Sequence, residues 1–190
     1  MSSAAIPQHR VLTDVIPGAR VRDAVLSVGF AVAIALSAQV AFALPGTTVP
    51  FTGQTFAVLA GAIVLGRTRA AAGSLLYLAL GVVGLPWFSG AGPHTIGYIV
   101  GFVVAAAVVG AMVRRLGSRT PGQVIGAMMV GNLLIWVFGA AGLALVLDLS
   151  ASQAVAAGVV PFLIGDAVKL AAAAAIVPAA WKVVDRFATG

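Results

Sequence analysis

The chain has 190 residues, of which 61% are hydrophobic and only 8% are charged. Its mean hydropathy of +1.11 lies far above the values of soluble globular domains, so the composition excludes a soluble enzyme or a soluble binding domain. It predicts an all-α protein that spans the membrane.

Two charge-free runs, 24–66 and 70–113, dominate the first part of the chain. Since one helix needs about 20 apolar residues to cross a bilayer, each run is long enough for two crossings. Proline and glycine interrupt both runs near the middle, at 45–53 and 84–93, and predict the tips of two hairpins. Two further apolar segments follow. The six predicted helices form one transmembrane domain over 24–183 and lie at about 24–44, 54–66, 70–84, 97–113, 124–147 and 159–181.

The predicted helix over 54–66 is short for a crossing. It rises only about 20 Å at 1.5 Å per residue, whereas the hydrocarbon core is about 30 Å thick. We expect the uncharged outer loop PGTTVPFTG, at 45–53, to fold back to membrane depth and complete the crossing. Irregular backbone is stable at that depth only where protein buries it or where it lines a cavity.

The basic residues are sorted between the loops. Of the 11 lysines and arginines, all but Lys169 lie in the tail 1–23, between helices 2 and 3, between helices 4 and 5, or after helix 6. The positive-inside rule therefore predicts cytoplasmic tails at 1–23 and 184–190. Since these cations are dispersed at helix ends, they indicate anchoring and orientation of the helices and not nucleic-acid binding.

The start of the chain also has features of a secretory signal. Arg20 and Arg22 precede an apolar stretch that ends in Ala-Phe-Ala at 41–43, as in a cleavable signal peptide. The stretch is longer than the roughly 7–15 apolar residues of such peptides, and cleavage would leave five helices. We therefore expect helix 1 to remain part of the protein.

Small residues recur at four-residue spacing and let helix backbones approach closely. Packing within the chain and docking of another membrane protein both explain such pairs. The pairs are Ala31 with Ala35, Gly97 with Gly101, Ala106 with Gly110, and Gly122 with Gly126.

The last apolar segment carries two opposite charges in the stretch FLIGDAVKLAAAA. Asp166 and Lys169 are three residues apart, so both project from one face of a helix. Either charge costs about 2.5–3.5 kcal/mol at a helix centre, so neither is expected to face lipid without partners. The pair predicts a polar pocket that opens to the outside. An ion pair that only fixes the helix to its neighbours is the alternative.

Other polar and aromatic residues are expected near this pocket. Gln54 adds an amide, and Thr47, Thr48 and Thr52 add hydroxyl groups. Trp87, Phe88 and Tyr98 are candidates for its wall, with an interfacial aromatic belt as the alternative. Asn132 and Trp136 fit either lining residues or contacts between helices.

No metal, cofactor or catalytic centre is expected. The chain has no cysteine, and its two histidines, His9 and His94, are predicted to lie on opposite sides of the membrane. Ser89 and His94 are the residue types of a hydrolytic dyad, but WFSG lacks the first glycine of a nucleophile motif. The sequence therefore predicts a protein that is not an enzyme.

Four stretches, in order along the chain, resemble the BioY family of biotin transporters. They are VPFTGQTFAVLAGAIVLG, LLYLALGVVGLPWFSG, GYIVGF and PFLIGDAVKLAAAA, and the likeness runs from about residue 30 to 180. Members of that family are the substrate-binding S components of energy-coupling factor importers. The resemblance implies an S-component-like six-helix bundle in a bacterial-type cell membrane, with an outward-facing biotin pocket.

By this resemblance, Asp166 and Lys169 match the aspartate and lysine that contact biotin, and Gln54 matches a glutamine of the first outer loop. Asp166 is expected to accept a ureido N–H, and Lys169 to donate to the carboxylate or to the ureido oxygen. Ser89 lies where many relatives carry a polar residue. The chain departs from the family in GPHTIGY, which is shorter than the usual glycine-rich loop, and in WVFGAAGLAL, which lacks a common proline and tryptophan.

The resemblance also implies partners, namely a membrane coupling subunit and two ATP-binding cassette ATPases. Ala31 and Ala35 resemble the A-x-x-x-A surface through which S components contact the coupling subunit. The chain lacks a G-x-x-x-x-G-K-[ST] phosphate loop, so the partners are expected to supply the energy. Two alternatives remain, a proton-coupled carrier in which Asp166 titrates and a structural membrane subunit.

Overall fold

The computed structural model describes Val11, Thr13 and residues 20–87 and 92–188. Seven α-helices and one antiparallel hairpin are formed by the described residues. The helices are α1 (Arg20–Ala38), α2 (Gln54–Leu65), α3 (Arg67–Val82), α4 (Ile96–Leu116), α5 (Pro121–Leu147), α6 (Ala151–Gly158) and α7 (Leu163–Ala188), and the hairpin pairs β1 (Ala41–Phe42) with β2 (Phe51–Thr52).

The all-α membrane fold is confirmed. Within the described residues, 4 helical segments are long and apolar enough to cross a bilayer, and they contain α1, α4, α5 and the α6–α7 region. α2 and α3 are shorter, with 12 and 16 residues. At 1.5 Å per residue α2 rises about 18 Å, less than the roughly 30 Å of the hydrocarbon core, so a crossing completed by the adjacent non-helical segments stays a prediction.

The hairpin explains why α1 ends at Ala38 and not near residue 44. Ala41 pairs with Thr52, and Phe42 pairs with Phe51, so the chain leaves the helix early and turns back into the protein. The prediction that the loop over 45–53 folds inward is confirmed, because Val49 and Pro50 line an internal cavity.

Local sequence sets the other helix boundaries. Thr120 and Gln123 form a capping box that starts α5 at Pro121. A second capping box, from Ser150 and Gln153, starts α6, a short helix that was not predicted. Pro161 lies in a 3-10 turn, so α7 begins at Leu163 and not near residue 159.

A single glycine separates α2 from α3. Gly66 has φ +77°, a left-handed conformation that glycine adopts without steric cost. The residues 67–69, predicted as a loop, therefore form the first turn of α3.

We call the side where α2 ends and α3 begins the arginine end, defined by Arg67, Arg69, Arg114, Arg115 and Arg119. Arg69 is only 7% exposed there, and its guanidinium bonds Asp23 at 2.9 Å and the Thr13 hydroxyl at 2.7 Å. Thr13 in turn donates to the carbonyl of Val64. These bonds connect Thr13, α1, α2 and α3 to one another.

Small residues mediate close contacts inside the chain. Gly97 and Gly101 on α4 face the backbone of α5, next to Gly142 and Ile135. Gly110 lies against the backbone of Arg67 at the turn between α2 and α3. These contacts serve packing within the chain, whereas Gly122 and Gly126 have no heavy atom within 4 Å of a built Cβ.

The docking surface predicted at Ala31 and Ala35 is not exposed. The two alanines are only 1% and 8% exposed and belong to the hydrophobic core. Their burial fits packing within the chain, the alternative for such pairs. The exposed face of α1 is a different one and contains Gly29 and Ala33.

Candidate functional site

An internal cavity lies among the hairpin, α2, α4, α5 and α7, at the opposite end of α2 from the arginine end. It has a volume of about 60 Å³. Polar side chains from distant parts of the chain converge on it: Thr52, Gln54, Thr55, Tyr77, Thr95, Asp166 and Lys169. Aromatic side chains form much of the remaining wall, namely Tyr98, Phe102, Trp136 and Phe162. We call this space the polar cavity.

The two charges of α7 form an ion pair at the polar cavity. The ammonium of Lys169 lies 2.9 Å from Oδ1 of Asp166, and the side chains are 13% and 3% exposed. The hydroxyl of Thr55 accepts from the Lys169 ammonium at 2.6 Å and donates to the same carboxylate oxygen at 3.1 Å. The i,i+3 spacing predicted that the side chains share one face, and the structure confirms it.

The second carboxylate oxygen of Asp166 is also bonded. The indole Nε1 of Trp136 donates to Oδ2 at 3.1 Å. Asp166 lies in the first turn of α7, where the helix dipole favours a negative charge. Helices α2, α5 and α7 thus jointly stabilise one buried carboxylate.

A chain of hydrogen bonds runs from the hairpin to the segment that follows α3. The Thr52 hydroxyl donates to Oε1 of Gln54 at 3.1 Å, and Nε2 of Gln54 donates to the Tyr77 hydroxyl at 2.8 Å. Tyr77 then donates to the backbone carbonyl of Trp87 at 3.2 Å. Gln54 therefore links the hairpin to Tyr77 of α3 and, through it, to Trp87.

Aromatic rings pack beside the ion pair. Phe51 stacks on Phe162 with ring centres 6.5 Å apart, and the Lys169 ammonium lies 3.9 Å from the centre of the Phe51 ring. Gly165 makes room for this ring, because a Cβ there would overlap it. Tyr98 packs beside Phe162 and donates its hydroxyl to the carbonyl of Gly158 at 2.7 Å.

The structure brings together four of the predicted site residues, Gln54, Tyr98, Asp166 and Lys169. Trp87 differs: its carbonyl joins the hydrogen-bond chain, but its half-buried side chain packs against the hydrophobic core instead of lining the polar cavity. Ser89 and Phe88 lie outside the described residues.

Sequence reasoning missed Thr55 and Tyr77 and left Trp136 undecided. Thr55 directly follows Gln54 in α2, so its hydroxyl is a detectable signal in the sequence. Tyr77 is a phenol in the apolar second half of α3, which is also a detectable signal. Trp136 has no such signal, because its role depends on the packing of α5 against α7.

The site contains hydrogen-bonding groups rather than metal ligands. No group of three or more His, Cys, Asp or Glu side chains lies close enough to hold a metal ion in the part of the chain that the structure describes. An acceptor and a cationic donor lie side by side between aromatic walls. Such a cavity suits an uncharged polar ring with adjacent donor and acceptor atoms.

Comparison with known proteins identifies the family. A family model described as the BioY family matches residues 8–186. The Biotin transporter BioY of Rhizobium etli is 33% identical over 80% of this chain and 89% of its own. The protein of the same name from Rhodobacter capsulatus is 33% identical over 77% of this chain and 81% of its own.

A third relative matches a shorter region. The Probable biotin transporter BioY of Lysinibacillus sphaericus is 35% identical over 56% of this chain, and the match spans only 57% of that relative. A crystal structure of the S-component for biotin from an ECF-type ABC transporter has the same fold, with a TM-score of 0.75 and 20% identity over 85% of this chain and 92% of that one. The extent of the family match establishes that the chain belongs to the BioY family.

Proposed function

We propose that this chain binds biotin and carries it across the membrane as the substrate-binding S component of an energy-coupling factor importer. The observation that carries this proposal is a carboxylate and an ammonium 2.9 Å apart in a cavity within the helix bundle. Charged groups inside membrane helices most often line a substrate or ion path. The names of relatives that align with most of the chain support biotin as the substrate.

The ion pair is complementary to the ureido group of biotin. That group presents an N–H donor next to a carbonyl acceptor, and Asp166 and Lys169 present an acceptor next to a donor. We therefore assign the ureido N–H to Asp166 and the ureido oxygen to Lys169, one of the two acceptors that the sequence left open. Tyr98 and Phe162 are placed to contact the apolar parts of the ligand.

Binding requires the hairpin to move. The polar cavity has a volume of about 60 Å³, below the roughly 300–1,000 Å³ of typical ligand pockets. Phe51, at the start of β2, covers Lys169. Displacement of this ring would give a ligand the size of biotin access to the charged pair.

Calorimetric titration of biotin into the detergent-purified protein tests the function. We expect saturable binding with one biotin per chain. A folded protein that takes up no biotin would overturn the assignment. If uptake into vesicles needs a proton gradient and no ATPase partner, the chain is instead a proton-coupled carrier in which Asp166 titrates.

A substitution tests the assignment of the ureido oxygen to Lys169. We expect Lys169→Met to weaken the binding of biotin and of biotinamide, whose carboxylate is an amide, by the same factor of about 10–100, since a bond to a charged group is lost in both. Lys182→Met removes an exposed lysine from the far end of α7 and is the control. A loss confined to biotin would place Lys169 at the carboxylate.

We propose that the exposed face of α1 docks the membrane coupling subunit, through which partner ATPases supply energy. Gly29 has no heavy atom within 4 Å of where its Cβ would lie, and Ala33 is also exposed four residues further on. Val25, Val28 and Val32 flank them and are 64%, 52% and 39% exposed. Small residues at this spacing let a second helix approach closely.

Gly29→Leu should separate coupling from binding. We expect biotin uptake by the assembled importer to fall several-fold, because the side chain blocks close helix approach, while biotin binding by the isolated chain stays unchanged. Gly126→Leu is the matched control, since Gly126 on α5 also has no heavy atom within 4 Å. Equal losses of uptake in both variants would contradict docking on α1.

A further inference from the structure

A second cavity lies at the arginine end, on the outer surface of α4 beside the start of α3. Its volume is about 280 Å³, and its floor is apolar. It is lined by Arg67, Ala107, Val108, Ala111, Met112 and Arg115. We call it the arginine groove.

Backbone packing places both arginines at this groove. Gly110 of α4 packs directly on the turn that precedes α3, since a Cβ there would lie 2.6 Å from the Cα of Arg67. Arg115 lies four residues after Ala111, so both share one face of α4. Both arginine side chains are exposed, and the residues between them are small or flexible.

Neither arginine of the groove has a carboxylate partner among the described residues. At this end of the bundle the described acidic residues are Asp23, which bonds Arg22 and Arg69, and Asp185, which bonds Arg119. Two positive charges therefore lie beside an apolar surface, and no carboxylate in the described part of the chain neutralises them. An anion with an attached apolar chain is complementary to this arrangement.

We propose that the arginine groove binds an anionic phospholipid of the surrounding bilayer. Arg67 and Arg115 contact the phosphate from either side, and an acyl chain lies along Ala107, Ala111 and Met112. Charge complementarity selects the headgroup. Basic pockets between membrane helices are known to bind anionic lipid headgroups. The groove is on the opposite end of α4 from the polar cavity, so this site is separate from the substrate site.

Thermal unfolding of the chain in mild detergent tests the proposal. Dioleoyl phosphatidylglycerol is expected to raise the melting temperature more than dioleoyl phosphatidylcholine, because ligand binding stabilises the folded state. In the double variant Arg67→Gln and Arg115→Gln, we expect the apparent affinity for phosphatidylglycerol to fall about tenfold, given the attraction of each basic residue to an anionic surface. The preference over phosphatidylcholine should disappear.

Two further variants separate this site from general charge effects. Arg20→Gln combined with Lys182→Gln removes two exposed cations elsewhere and should leave the preference intact. Ala111→Trp fills the groove, keeps both arginines, and should abolish the preference. The proposal would be overturned if the Arg20→Gln, Lys182→Gln variant lost the preference for phosphatidylglycerol to the same extent. An unchanged preference in the groove variants would overturn it as well. So would equal stabilisation by water-soluble glycerophosphoglycerol, which would identify a free phosphate as the ligand.

Discussion

Asp166→Ala is expected to abolish biotin binding and to destabilise the protein by about 3–5 kcal/mol. The substitution leaves the Lys169 ammonium, 13% exposed, without its counter-charge in the bundle. It also removes the acceptor of the Thr55 and Trp136 bonds. Calorimetric titration should show affinity for biotin lower by at least about 100-fold, and thermal unfolding in detergent should show the lost stability.

A double variant separates the loss of biotin binding from the loss of stability. Asp166→Ala with Lys169→Met removes both charges, so we expect most of the stability to return while biotin binding stays absent. Asp185→Asn provides the control, because its ion pair with Arg119 is about half exposed and contributes little. If the double variant bound biotin normally, the pair would serve only to fix α7, and the structural-subunit alternative would be favoured.

Gly110→Ala is expected to cost about 2 kcal/mol or more of stability. A Cβ at this position would overlap the backbone nitrogen of Arg67 and lie 2.6 Å from the carbonyl carbon of Gly66. Backbone atoms cannot rotate away as a side chain can, so α4 must separate from the turn between α2 and α3. Thermal unfolding in detergent measures the loss.

The control for this prediction is Gly126→Ala. Gly126 lies on α5 with no heavy atom within 4 Å of a built Cβ, so alanine adds helix propensity without a clash. We expect that variant to be as stable as the original protein or slightly more stable. Equal destabilisation of both variants would show that the close contact at Gly110 is unimportant.

The 4 long apolar helical segments were predictable because hydrocarbon thickness sets the length of an apolar run. Likewise, the brevity of α2 was enough to predict that the loop over 45–53 folds inward. The hairpin of β1 with β2 was not predictable, since its two-residue strands have no periodic pattern. α6 was missed although Ser150 and Gln153 carry a capping-box signature, because it has only 8 residues.

The candidate site was predictable where a polar or charged side chain stands in an apolar helix. Asp166 and Lys169 are charges in an apolar helix, and Gln54 is an amide at the start of another. Trp136 was undecided because tryptophan is common in membrane helices, and only the fold places its indole beside Asp166. Ala31 and Ala35 show the converse: spacing identifies small pairs, but it does not tell which face of α1 is buried.

The order of the buried charges along the chain also affects its insertion into the membrane during synthesis. Asp166 and Lys169 lie on α7, downstream of their partners Thr55 and Trp136. Arg69 likewise follows Thr13 and Asp23. Since synthesis runs from the N-terminus, each charged segment reaches the bilayer after the groups that stabilise it are already in place. The insertion penalty of an isolated charge is thereby reduced at the moment of entry.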